Sequence, residues 1–299
     1  TFLQTDYRNI VRNLGNITAD SLYGGYKEKF IAQCNLLQKH AGRGLKKFLT
    51  RYLEKYEVEN LIKLIRRKET NRPVSKREIL ELPFSKLPYS KLFQAENSTE
   101  IFNLLNGSPY ELEEEVIDLY TDYSSLLPVE GYLWKKFYER VMKSVGKLPD
   151  SGKKIREMLM MEIDIRNCFI AAGPPLYGYS PDLAEALLIR PPLKISLLDL
   201  KNFLHSKEPQ EVLEGRPYRL IRKLLLKGEE GKAEVEASRY IIGWLMEKKR
   251  MNFVSSLYVM LYLKLCEAEF KNLTTLTYGV KYNLPPENIS ENVILTLLS

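Results

Sequence analysis

The stretch KYEVENLIKLIRRK, residues 55–68, sets carboxylates at Glu57 and Glu59, an amide at Asn60 and bases at Arg66, Arg67 and Lys68 side by side. Such a set could do acid/base chemistry, grip a phosphate backbone, or dress the solvated face of a helix. Other groups able to do chemistry are sparse. His40 and His205 are the only histidines, and neither has a partner at triad or metal-ligand spacing, so each reads as an exposed or capping side chain. Cys34, Cys168 and Cys266 lie far apart with no CxxC, which argues against a disulfide framework and against zinc, and suits a reducing compartment. There is no GxxxxGK[ST], and AAGPPLYGYS (171–180) follows a helical pattern and not a strand, so no nucleotide cradle is supported. The acidic run ELEEEVID (111–118) offers paired carboxylates that nothing orients, and a solvated helix face is its simpler meaning. The expectation is no catalytic residue, no cofactor and no metal.

What remains is the asparagine. YEVENLIKLI (56–65), IDIRNCFIAA (163–172) and AEFKNLTTLT (268–277) align without gaps and bring Asn60, Asn167 and Asn272 to one position. An acid stands three residues earlier in every copy, at Glu57, Asp164 and Glu269, and an apolar residue stands two earlier, at Val58, Ile165 and Phe270. The asparagines are 107 and 105 residues apart. A polar amide recurring in three apolar neighbourhoods predicts a buried hydrogen-bonding duty, because an unpaired buried amide costs about 1 to 3 kcal/mol. A second pair of segments, ENSTEIFNLLNGSPY (96–110) and HSKEPQEVLEGRPY (205–218), shares an acid, an apolar helix and a Gly-x-Pro-Tyr ending, with Pro109 and Pro217 separated by 108 residues. The period is domain sized, too long for a solenoid unit of about 20 to 50 residues. Three lobes are expected, at approximately 1–104, 105–208 and 209–299, related by a pseudo-threefold arrangement in the way that copies of one unit pack through equivalent surfaces.

The elements that must carry these residues are helices. Apolar residues recur at three-and-four spacing almost throughout and alternating β-type runs are absent, so the fold class is all-α. Ser75 and Glu78 in SKRE form an expected capping box, Pro181 after Ser180 takes a first helical position, and LPPE (284–287) opens another helix. Breaks are expected at Gly107, from Gly146 to Gly152, at the Gly173 to Pro175 turn, from Arg190 to Pro192 and from Gly228 to Gly231. After each asparagine a loop leads into a capped helix, in NRPVSKREIL (71–80), YSPDLAEALL (179–188) and NLPPENISENVI (283–294).

Length and composition set the frame. The 299 residues can bury two or three ordinary cores, and 44% hydrophobic with 28% charged residues is the profile of a folded globular chain. Even FVSSLYVMLYLKLCEAEF (253–270) is interrupted by Lys264, so no segment reads as a membrane span. The net charge of +7 admits nucleic acid, anionic lipid or an acidic protein as a partner. The basic stretches GRGLKKFLTR (42–51) and LIRRK (64–68) lack aromatic stacking platforms and sit beside Glu54, Glu57 and Glu59, so nucleic-acid binding is not expected. Thr1, with no methionine and no signal-like segment, suggests that the sequence begins inside a longer natural chain.

Through the three acid-x-x-Asn helices, YEVENLIKLIRRK, MEIDIRNCFIAAG and EAEFKNLTTLTYGVKYNLPPENI, together with ENSTEIFNLLNGSPY and LYGGYK (22–27), the chain resembles the C subunit of the archaeal and bacterial A/V-type rotary ATPases, whose homologue in the eukaryotic V-ATPase is the d subunit. The resemblance covers essentially the whole sequence. It implies a funnel-shaped, all-α subunit of three helical domains with no catalytic site, cytoplasmic and peripheral to the membrane. In that role it joins the membrane proteolipid ring to the central shaft subunits and links ATP turnover to proton or sodium transport. Members of that family carry a further helical segment before the position of Thr1, and their ENL reads RNC at 166–168 and KNL at 271–273 here. The alternative is a basic all-α adaptor or nucleic-acid-binding repeat protein.

Overall fold

The computed structural model describes residues 7–8, 17–146, 148, 152–206, 218–249 and 255–294. Among them the protein is all-helical, and no helix is long and apolar enough to cross a membrane. The chain separates into two compact units: a middle unit, Ala41–Gly228, and a terminal unit that joins Thr1–His40 to Glu229–Ser299.

In the middle unit α2 (Arg43–Leu53) and α3 (Lys55–Glu69) follow one another with only Glu54, itself in right-handed helical conformation, between them. A single 3-10 turn (Lys76–Glu78), α4 (Tyr89–Gln94), α5 (Ser98–Leu104) and α6 (Glu114–Tyr123) lead to α7 (Leu127–Val145). Then come α8 (Gly152–Tyr177), α9 (Pro181–Leu187), α10 (Leu197–Leu204) and α11 (Arg219–Leu226). Helix α7 is the hub, packed on α2, α3, α6, α8 and α9. Its buried face carries Val129, Leu133, Trp134, Phe137, Tyr138 and Val141 at helical spacing, and Arg166 of α8 lies 3.9 Å over the Trp134 ring. Two ion pairs fix its direction: Arg66 of α3 meets Glu130 at 2.5 Å, and Glu54 meets Arg140 further along. α3 therefore runs antiparallel to α7, and α2, joined to it through the single right-handed helical residue Glu54, continues in the same direction. The stretch KYEVENLIKLIRRK is α3, buried on almost every side from Lys55 to Ile65, which marks it as a core helix and not a surface grip.

The terminal unit is built on α13 (Ser256–Lys281), which packs against α1 (Ala19–His40), α12 (Glu230–Lys249) and α14 (Pro286–Glu291). Phe30 and Phe270 stack with centroids 5.5 Å apart, while Tyr278 and Lys281 reach Asp20 at 3.1 and 3.2 Å. Residues early in α1 thus meet residues late in α13, an antiparallel pair made from the two ends of the sequence.

Two local expectations change. The SKRE segment forms one 3-10 turn without a capping box: Ser75 accepts from Arg77 N–H, and Glu78 is drawn instead to Arg67 at 3.0 Å. The expected break from Gly173 to Pro175 is helix, because α8 continues to Tyr177 and reverses only at Gly178, φ +71°. Pro174 and Pro175 carry no N–H, so the last turns of the helix go without two i→i−4 bonds. Gly173 serves packing instead, since a β-carbon there would stand 2.7 Å from the Tyr179 ring. Pro181 and Pro286 do open α9 and α14. Of the Gly-x-Pro-Tyr segment at 205–218, residues 207–217, Pro217 included, lie outside the described residues.

Candidate functional site

Asn60, Asn167 and Asn272 lie on α3, α8 and α13, helices of 15, 26 and 26 residues. Each helix continues for nine or ten residues and then meets a residue with positive φ, eleven places after the asparagine: Asn71 (49°), Gly178 (71°) and Asn283 (51°). Asparagine and glycine are the residues that tolerate this left-handed conformation, which ends a helix and turns the chain back. The returning chain then passes the asparagine again.

There the amide closes on backbone. Asn60 Oδ1 accepts the Leu80 N–H at 3.0 Å, while its Nδ2 donates to the Leu80 carbonyl at 2.9 Å and to the Tyr89 hydroxyl at 2.8 Å. Asn167 repeats the two-point clamp on Ile189, at 2.8 and 2.9 Å. Asn272 accepts the Ile294 N–H at 2.7 Å, and there the carbonyl of Ile294 receives Arg239 Nε at 3.1 Å instead. The clamped residues follow their asparagines by 20, 22 and 22 places. Asn60 and Asn167 are 1% and 0% exposed, so their bonds are made in a dry interior where loss of a partner is felt in full.

The acids one turn earlier hold tyrosines. Tyr110 O–H donates to Glu57 Oε2 at 2.5 Å, and Tyr218 O–H donates to Asp164 Oδ2 at 3.1 Å, 53 and 54 residues further on. Asp164 also accepts the N–H groups of Leu193 and Lys194 at 2.9 and 2.8 Å. Tyr218 itself sits at φ 65°, a conformation a bulky residue adopts only when its surroundings enforce it. Glu269 is hydrogen-bonded by Tyr7, from the beginning of the sequence, with Lys29 3.6 Å from the carboxylate and 3.6 Å over the Tyr7 ring. Burial pushes the Glu57 and Asp164 carboxyls and the Tyr110 and Tyr7 phenols above their ordinary values, and takes Tyr89 to about 12. Arg140 completes the Glu57 neighbourhood: it pairs with Glu54, donates to the Pro109 carbonyl at 2.7 Å and lies 4.8 Å over Tyr110.

The tyrosines are not among the residues that the sequence singles out. The Gly-x-Pro-Tyr endings look like an independent match, although their nearly equal distances from Glu57 and Asp164 point to Tyr110 and Tyr218. Tyr7, in TDYR, carries no such motif.

The chemistry of this arrangement is positional. Each asparagine and acid is occupied by backbone, phenol or cation. The cationic cluster after Asn60 is occupied too, with Arg66 on Glu130, Arg67 on Glu78 and Lys68 Nζ on the Phe93 carbonyl at 3.3 Å. Among the described residues no group of three or more His, Cys, Asp or Glu could hold a metal ion. The three cysteines are buried and separate, and burial takes the Cys168 thiol to about 12, far from nucleophilic. His205 Nε2 lies 3.2 Å from Glu185 at the end of α10, half open to solvent.

Comparison with known proteins agrees with a component of a larger assembly. The family described as ATP synthase (C/AC39) subunit matches residues 1–292. The A-type ATP synthase C subunit of Archaeoglobus fulgidus is 26% identical over 84% of this chain and 73% of its own length. The proteins of the same name from Thermococcus kodakarensis and Pyrococcus furiosus are 23% and 22% identical, each over 97% of this chain and 79% of its own length.

Proposed function

We propose that this chain, which belongs to the ATP synthase (C/AC39) subunit family, is a non-catalytic rotor component that couples the membrane proteolipid ring to the central shaft of an A/V-type ATPase or ATP synthase. In this role it transmits rotation between ATP turnover and proton or sodium transport, working at the cytoplasmic face of the membrane without entering it. The observation that carries the reading is the thrice-used asparagine clamp at Asn60, Asn167 and Asn272. Side chains that could have served chemistry are spent on fixing the return path of a long helix, which suits a part that must hold its shape under load. Close-packed helical interiors resist deformation.

Three lobes at approximately 1–104, 105–208 and 209–299, arranged about a pseudo-threefold axis with a funnel-like hollow, belong to the same proposal. In it Glu57, Asn60, Asp164, Asn167, Glu269 and Asn272 are the repeat signature, each set locking one lobe. The test is affinity capture of the tagged chain from detergent-solubilised membranes with identification of what accompanies it. A proteolipid and the shaft subunits are expected in stoichiometric yield. Capture of the soluble ATPase head without any proteolipid would contradict the placement at the ring.

A further inference from the structure

Positive charge collects at one end of the middle unit. Helix α8 follows α7 in the chain and sets its Arg166 over Trp134, so it runs antiparallel to α7 and parallel to α2. Tyr52 O–H of α2 donates to Glu162 of α8 at 2.7 Å, which fixes the register between them. Nine residues before Tyr52 and Glu162 stand Arg43 and Lys153, in the opening turns of α2 and α8. Arg43, Lys46 and Lys47 therefore share one pole with Lys153, Lys154 and Arg156, joined by Lys143 from the last turn of α7. Six of the seven are exposed and Lys154 is half-buried. None of them is engaged with a carboxylate among the described residues. Neither helix has an acid in its first turn, so their positive dipole ends add to the field and do not offset it. The acids nearest Lys153 and Lys154 in the sequence are Asp150, which lies outside the described residues, and the half-buried Glu157. Residues 41–228 hold 32 Lys and Arg against 26 Asp and Glu, so nearly all of the +7 excess belongs to this unit.

We propose that this pole is an electrostatic docking surface for anionic phospholipid head groups. The choice of occupant follows from what accompanies the charge. A specific protein interface is centred on apolar and aromatic anchors and depleted of charge at its core. No large exposed hydrophobic side chain falls within α2 or in the first three turns of α8. Flexible cations on two parallel helix ends, with nothing apolar between them, fit a fluid surface of many negative charges better than a shaped partner. The surface belongs to the middle unit alone and lies outside the coupling role, so its failure to bind lipid would leave the capture experiment above untouched.

The test is flotation of the full chain with phosphatidylcholine vesicles that contain or lack about 30% phosphatidylglycerol, at low salt and at about 0.5 M salt. Binding is expected only to the anionic vesicles and only at low salt. Replacing Lys46, Lys47, Lys153 and Lys154 together by Gln should weaken that binding by about tenfold or more, since each basic residue near an anionic surface contributes severalfold. A control variant with Lys63, Lys86, Lys91 and Lys227 changed to Gln, exposed lysines off this pole, loses the same net charge and should stay within about twofold of the parent. Far-ultraviolet circular dichroism of both variants checks that they are folded. No binding to anionic vesicles, equal binding to neutral ones, or equal weakening by the two variants overturns the proposal. Salt-sensitive binding to duplex DNA or to an acidic polypeptide in place of anionic vesicles would overturn it as well.

Discussion

Asn60 and Asn167 each present to the chain what a neighbouring strand would present, one acceptor and one donor at the spacing of a peptide group. That is why a helix can hold a returning loop without any sheet. Replacing either with Ala leaves a buried N–H and C=O unpaired, at Leu80 or Ile189. Stability should fall by about 1 to 3 kcal/mol in urea unfolding for each, with Asn272→Ala at the lower end because its clamp is half-exposed and shared with Arg239. Unchanged midpoints for Asn60→Ala and Asn167→Ala would show that the clamp contributes nothing to stability. The paired acids make a pH prediction. Burial raises Glu57 and Asp164 above 4.5 and 3.8, so the folded state keeps their protons to higher pH than the unfolded chain does. Their contribution is present below the ordinary carboxylate range and is lost as pH rises through the raised values. The unfolding midpoint of Glu57→Gln should therefore lose less than the parent's on going from acid to neutral pH, and parallel curves would contradict the assignment.

At the scale of the element, what the asparagine holds is a helix, a left-handed end residue and a loop of nearly fixed length. Gly178 occupies the position that Asn71 and Asn283 fill in the other two copies. Gly178→Ala should lower thermal stability by about 1 to 2 kcal/mol because a β-carbon is disfavoured at positive φ, whereas Gly178→Asn should retain most of it. Equal melting of the two variants would mean that the helix end is not specified there. The helices and the asparagines are legible in the sequence because apolar period and a polar residue within an apolar run are local signals. The 3-10 turn at 76–78 is not, since SKRE reads as a capping box until Arg67, eleven residues before Glu78, takes that carboxylate. Nor is the passage of α8 through Gly173, because a glycine before two prolines reads as a break until Tyr179 is seen folded over it. Tyr7 lies 262 residues from Glu269, and nothing local announces such a pair.

For the whole molecule, membership of the ATP synthase (C/AC39) subunit family joins with a chain whose polar core residues tie long helices to their own return segments. A rotor coupling needs parts that transmit torque with little internal give, and buried two-point clamps at dispersed places are a physical means to that end. The terminal unit adds that α1 and α13, from opposite ends of the sequence, are one packed pair, so trimming the residues before His40 should disturb α13 as well. Coupling is tested most directly by ATP-driven ion uptake in vesicles carrying the purified complex, measured alongside ATP hydrolysis before and after complete removal of this chain and after its return. A coupling role predicts that hydrolysis persists while uptake is abolished on removal, and that adding the chain back restores uptake. Ion uptake that continues at its original rate without the chain would contradict it.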